Sequence, residues 1–129
     1  MIICRQNILP LGQYKAMFLL GILFLKSKAE MSEHEMNHEK IHSRQFVELM
    51  ISGLLITLPF VSWIWWLPLT APFLFYFWYG IEWFIHLIRL RDTHEAYHRI
   101  SFEVEAYDNQ DVEWYLRERK LFSFLKYVQ

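Results

Sequence analysis

The chain consists of a long apolar centre between two charged flanks. Residues 49–81 contain no Asp, Glu, Lys, Arg or His over 33 consecutive positions. A helix needs about 20 residues to cross the core of a bilayer, so the block, extended to residues 46–88, is long enough for two spans. Pro68, Thr70 and Pro72 favour a turn between them. The pattern therefore predicts a helical hairpin in a membrane.

Aromatic and charged residues predict how this hairpin is oriented. Trp63, Trp65 and Trp66 lie next to the turn, as expected of an aromatic belt at a membrane interface. Positive residues flank both ends of the block and are absent from the turn: Lys28, Lys40, Arg44, Arg89, Arg91 and Arg99. Because such residues collect on the cytoplasmic side, we expect an integral protein of a bacterial inner membrane with both termini cytoplasmic.

The flanks predict the remaining elements of a single domain. Residues 16–28 are apolar and interrupted by Gly21, which favours strands within residues 1–31 over the alternative of a helix. Ser32 and Glu35 have the spacing of a helix capping box. The predicted elements after the strands are a helix that runs into the first span, a turn, a second span and cytoplasmic helices, over residues 32–66, 67–72, 73–91 and 92–129, respectively. The predicted fold class is mainly α: an integral membrane helical hairpin with cytoplasmic helical flanks and a small N-terminal β-hairpin.

Composition limits the chemistry that the chain can perform. The 129 residues are 54% hydrophobic and 19% aromatic, and the net charge of −1 gives no general attraction to nucleic acid. Cys4 is the only cysteine, which excludes an intramolecular disulfide and a cysteine-based zinc cluster. Any metal ion must therefore be held by histidines and carboxylates.

An H-E-x-x-H motif, His38-Glu39-Lys40-Ile41-His42, lies on the predicted helix. Histidines four residues apart share one helix face, so two imidazoles and a third ligand can hold Zn²⁺ while Glu39 accepts a proton from water. Residues 34–38 match the same pattern, so a His34/His38 pairing competes with His38/His42. The second pairing is favoured because it lies one turn deeper in the helix and because Glu35 serves the capping box.

The third ligand of such a site is expected in the C-terminal flank. Glu103 and Glu105 are the candidates, and they point about 200° apart on a helix of 3.6 residues per turn, so at most one faces the metal. Ala106 and Tyr107 share the Glu103 face. There the small residue permits close helix approach, and the Tyr107 phenol is placed to donate to an oxyanion during catalysis.

Together these motifs resemble gluzincin-type zinc peptidases, in which H-E-x-x-H is completed by a Glu in an E-x-x-A-D-like motif on a later helix. Residues 103–107 match that second motif except at the last position, where Tyr107 replaces the Asp. The order of elements is most similar to the membrane-embedded CAAX-prenyl and heat-shock proteases and the antibiotic-sensing receptor proteases. The resemblance implies His38, His42 and Glu103 as ligands of one zinc ion per chain and Glu39 as the general base. Candidates to orient the histidines in place of the Asp are Glu48, Asp108 and Asp111.

The position of the motif predicts the substrate. His42 precedes the apolar block by about 10 Å of helix, which places the site at headgroup depth. We therefore expect a membrane-bound or membrane-proximal protein or peptide that is held as an extended strand along residues 16–28. The lipid bilayer is an expected partner, nucleic acid is not, and the thin enclosure of two spans favours a homo-oligomer.

Two other functions compete with the peptidase. Two E-x-x-H pairs and spare carboxylates fit the formula of a di-iron oxidase, using Glu39, His42, Glu95, His98, Glu48, Glu82 and Glu103. Alternatively, the chain is a non-catalytic membrane interaction module. One zinc ion, two iron ions or no metal per chain distinguish the three functions. His86, His94 and His98 are otherwise expected at a surface or interface.

Overall fold

The computed structural model of the chain describes residues 2–6, 8 and 15–129. Three strands, β1 (Ile2–Gln6), β2 (Ala16–Leu19) and β3 (Ile22–Lys26), form one sheet in the order β1-β3-β2. β3 pairs in parallel with β1 and antiparallel with β2. The predicted hairpin within residues 16–28 is thus confirmed, while residues 1, 7 and 9–14 of the predicted strand region lie outside the described residues.

The hairpin turn and the first helix follow from local sequence. Leu20 and Gly21 both have positive φ, at 49° and 83°, as a two-residue hairpin turn requires. Helix α1 (Glu33–Thr57) begins after Ser32, whose side chain accepts from the Glu35 backbone N–H while the Glu35 carboxylate accepts from the Ser32 N–H. The capping box is therefore confirmed.

Helix α1 ends at Thr57, well before the predicted residue 66. Pro59 follows it, and because proline has no N–H it cannot donate to the carbonyl one turn back. The chain continues as two 3₁₀ segments, Leu58–Phe60 and Leu67–Phe73, before helix α2 (Leu74–Leu90). A Cβ on Gly53 of α1 would lie 3.1 Å from the Ala71 Cα, so this glycine allows the second 3₁₀ segment to pack closely.

The prediction of a membrane-spanning hairpin is wrong. Within the described parts of the chain, no helix is both long and apolar enough to cross a membrane. α1 has 25 residues, but polar and charged residues predominate in its first two thirds, and α2 has only 17 residues. Prolines divide the apolar block into shorter pieces, so a long uncharged sequence does not become a long uncharged helix. The predicted integral membrane localisation, with cytoplasmic termini, is wrong for the same reason. Large side chains of the block are nevertheless exposed, including Leu55, Trp63, Trp65 and Phe77.

Short helices complete the C-terminal part of the fold. They are α3 (Thr93–His98), α4 (Ser101–Asn109) and α5 (Tyr115–Glu118), followed by a 3₁₀ segment (Ser123–Tyr127). One cluster of the core consists of the buried side chains of Phe46, Phe75, Ile100, Phe102 and Phe124. This cluster fixes α4 against α1 and α2, and the fold is mainly helical with a small three-stranded sheet.

The start of α4 is held by a buried carboxylate from α2. Glu82 Oε2 accepts hydrogen bonds from the backbone N–H and the hydroxyl of Ser101, both at 2.7 Å. The Phe75 and Phe102 rings stack with their centroids 4.7 Å apart. Both contacts fix the rotation of α4 about its axis, which decides which of its side chains face α1.

Candidate metal centre

Helices α1 and α4 bring His38, His42 and Glu103 together in the interior. The two histidine Nε2 atoms lie 3.0 Å apart. His38 Nε2 is 3.4 Å from Glu103 Oε2, and His42 Nε2 is 3.3 Å from Glu103 Oε1. All three residues are buried, and one ligand atom from each lies within 4.8 Å of the others. This group can hold a metal ion.

One oxygen of the carboxylate has only a long contact with a donor. Glu103 Oε2 is buried, and among the described residues its contact is with His38 Nε2 at 3.4 Å, which is longer than an ordinary hydrogen bond. A buried carboxylate oxygen is stabilised by close donors or by a cation, so this oxygen is available as a metal ligand.

The positions of the side chains distinguish between the alternative candidate ligands. Glu103 faces the histidines, whereas Glu105 points to the other side of α4, as their spacing predicts. His34 is exposed and Glu35 serves the cap, so the His38/His42 pairing is the one that meets the carboxylate.

Gln45 orients His42 from the side opposite the site. Its amide Nε2 donates to Glu105 Oε2 at 3.0 Å and to the Phe102 carbonyl at 3.2 Å. The amide oxygen is thereby turned to His42 Nδ1, 2.8 Å away. Because this oxygen can only accept, Nδ1 carries the proton in neutral His42 and the Nε2 lone pair faces the site.

A buried ion cluster holds this glutamine in place. Arg119 Nε donates to Glu105 Oε1 at 2.5 Å, and its Nη1 donates to Glu48. The Tyr115 hydroxyl donates to the same Glu105 oxygen at 2.7 Å. The orienting role that the sequence assigned to Glu48, Asp108 or Asp111 therefore falls to Gln45, supported by Glu105 and Arg119.

The electrostatics of the group are those of a buried ion pair. Burial would lower the pKa of His42, but the Glu103 carboxylate outweighs burial and raises that pKa to about 9. Burial would likewise raise the pKa of Glu103, but the charge of His42 and hydrogen bonds from both histidines lower it. The Tyr79 hydroxyl donates to Glu103 Oε1 at 2.9 Å. The two histidines and Tyr79 thus keep the Glu103 carboxylate ionised in the interior.

Glu39 lies at the boundary between the buried group and an open cleft. With the histidines, Glu103 and Tyr79, it lines an inner chamber of about 280 Å³. With His38 and Tyr107 it also lines a cleft of about 1170 Å³. Burial raises the pKa of Glu39 above its ordinary value, although His42 and His38 oppose this rise. A carboxylate of raised pKa beside the site is a stronger base than an exposed one.

Tyr107 stands beside the ligand group rather than within it. Its ring centroid is 4.6 Å from that of His38, and the side chain is 40% exposed in the cleft wall. The sequence did not predict Gln45 or Tyr79. The spacing of Gln45, three residues after His42 on the same helix face, is a usable signal, whereas no local pattern marks Tyr79.

The carboxylates of the di-iron alternative are dispersed. Glu48 pairs with Arg119, Glu82 holds the start of α4, and Glu95 is exposed. In the described portion of the chain, His38, His42 and Glu103 form the one group of three or more such residues that can hold a metal ion.

No protein family model matches the chain, and no curated protein or solved structure matches it either. Its function is therefore inferred from the geometry of the site.

Proposed function

We propose that the protein is a zinc metallopeptidase, in which His38, His42 and Glu103 hold one Zn²⁺ ion and Glu39 is the general base. The observation that supports this most is the convergence of the two imidazoles and the carboxylate around one point. A second support is Glu39, which immediately follows a ligand and borders both the chamber and the cleft.

The spacing of the donor atoms suits zinc. Zn²⁺ in proteins is bound tetrahedrally by nitrogen and oxygen at about 2.0–2.1 Å, which puts neighbouring donors about 3.3–3.4 Å apart. The two imidazole Nε2 atoms are 3.0 Å apart, and each lies at a similar distance from a different oxygen of Glu103: 3.3 Å from His42 to Oε1 and 3.4 Å from His38 to Oε2. Three protein ligands leave one position for water or substrate, as catalytic zinc sites require. Little movement is therefore needed to bind the ion.

Each residue has a defined task in peptide hydrolysis. The bound ion would polarise the substrate carbonyl and lower the pKa of water. Glu39 accepts a proton from the attacking water and transfers it to the amide nitrogen as the C–N bond breaks. Gln45 keeps the proton of His42 on Nδ1, so Nε2 remains a ligand. Tyr107, in the cleft wall, is placed to donate to the oxyanion.

The cleft fits a polypeptide in extended conformation. β2 is one of the two edge strands of the described sheet, and its residues Ala16 and Met17 line both the cleft and the chamber. An extended peptide can add to such an edge through main-chain hydrogen bonds, which places successive carbonyls along the cleft. The substrate class that we propose is therefore a protein or peptide segment without helical structure.

Glu39→Gln tests the proposal, with Glu113→Gln at an exposed position as the matched control. We expect the buried site to hold one zinc ion in both variants and in the wild type. Cleavage of a fluorogenic peptide library should fall by about 10²–10⁴-fold in Glu39→Gln and should be unchanged in the control. Equal cleavage by Glu39→Gln and the wild type would refute the assignment of the base. A zinc-loaded wild type that cleaves nothing in the library would favour the non-catalytic module, and bound iron would favour an oxidase.

A further inference from the structure

A second histidine pair repeats the spacing of the first. His94-Glu95-Ala96-Tyr97-His98 is also an H-E-x-x-H sequence, and it lies on α3. Its two Nε2 atoms are 3.3 Å apart and its ring centroids 4.5 Å apart, against 3.0 Å and 4.7 Å for His38 and His42. Two imidazole nitrogens thus converge in nearly the same geometry as in the candidate zinc site.

The second pair is accessible and held in position. His94 and His98 line the same cleft as His38. The Tyr107 ring stands between the two pairs, with centroid distances of 5.1 Å to His98 and 4.6 Å to His38. Asp92 caps α3 by accepting from the backbone N–H groups of His94 and Glu95, at 2.8 and 3.0 Å. The cap fixes the start of the helix, and with it the face on which both histidines lie.

We propose that His94 and His98 form a second metal site at the cleft, which takes a divalent transition-metal ion of borderline softness such as Zn²⁺ or Cu²⁺. Neutral imidazole nitrogen suits these ions, whereas Ca²⁺ and Mg²⁺ require oxygen ligands. Water, or a group of a molecule in the cleft, completes the coordination. The site binds more weakly than the buried one, since it supplies two ligands instead of three and no carboxylate.

Zinc titration of the metal-free chain by calorimetry tests this site. We expect the wild type to bind two equivalents, with the second weaker than the first. His94→Gln/His98→Gln should lose the second equivalent and keep the first. His34→Gln, a matched control at an exposed histidine of the same cleft, should keep both. Cu²⁺ should bind the second site more tightly than Zn²⁺, and Ca²⁺ should not bind it.

A second measurement avoids dependence on variants. Substoichiometric Cu²⁺ added to wild type that carries one equivalent of zinc should broaden the ring NMR signals of His94 and His98 before those of His34 or His86. Two zinc equivalents in the double variant, one equivalent in the wild type, or first broadening at His34 would each overturn the proposal. In those cases the two imidazoles form a hydrogen-bonded surface pair. Because the readout is binding, loss of peptidase activity in any variant leaves the result unaffected.

Discussion

Gln45→Met should weaken zinc binding although Gln45 does not touch the site. The substitution keeps the length of the side chain and removes both the oxygen and the nitrogen of its amide. His42 Nδ1 then loses the oxygen that lies 2.8 Å from it. With no acceptor on Nδ1, the proton is free to move to Nε2, where it occupies the position of a ligand lone pair.

The magnitude follows from the contacts that are lost. Removal of a group that orients a metal-binding histidine lowers metal affinity by about 10–100-fold, which is about 1.4–2.7 kcal/mol. Stability of the metal-free protein should also fall, by about 1–3 kcal/mol, if the buried Nδ1–H of His42 is left unsatisfied. Glu105 keeps its contacts with Arg119 and Tyr115, so the ion cluster itself survives.

The assay compares two variants by competition for zinc with a chromophoric chelator and by urea unfolding of the metal-free protein. Glu48→Gln is the control because it weakens the pair with Arg119 but leaves the contacts among Glu105, Gln45 and His42 in place. We expect both variants to be destabilised and only Gln45→Met to bind zinc more weakly. Wild-type zinc affinity in a folded Gln45→Met protein would show that the amide does not orient His42.

Two further predictions concern packing and pH. Gly53→Ala should lower the free energy of unfolding, because overpacking against Ala71 costs about 1–3 kcal/mol and the gain in helix propensity is about 1 kcal/mol. Gly80→Ala, with open space around the new methyl group, should raise it by about 0.5–1 kcal/mol; urea midpoints that shift in the same direction would contradict this contrast. In the metal-free protein, the His42–Glu103 ion pair should contribute most to the free energy of unfolding between pH 4.5 and 6.5. Because the pKa of His42 is raised, this contribution disappears as the pH rises towards 9. Because the pKa of Glu103 is lowered, the contribution also disappears in acid. Zinc-dependent stabilisation should instead increase from pH 6.5 to 9, because zinc and protons compete for His42, and unfolding curves with and without chelator measure both trends.

Local patterns predicted the elements whose cause is local. The capping box of Ser32 and the turn at Gly21 depend on contacts within a few residues, so each can be identified from sequence spacing. The length of α1 could not be predicted from hydropathy, because apolarity does not reveal where the prolines stop a helix. The membrane hairpin was wrong for this reason.

The residues that hold the site in place come from distant parts of the chain. Arg119 meets Glu48 across 71 positions, and Tyr79 meets Glu103 across 24. No spacing rule connects residues so far apart, since their approach depends on how whole helices pack. Gln45 is the exception, because it shares a face of α1 with His42.

By itself, the sequence determined that His38 and His42 share a helix face and that Glu103 and Glu105 cannot both face them, because each residue turns a helix by about 100°. Only the tertiary structure decided which carboxylate meets the histidines. Burial of Phe102 against Phe75 and the contact of Ser101 with Glu82 set the rotation of α4. That rotation turns Glu103 to the imidazoles and Glu105 to Arg119.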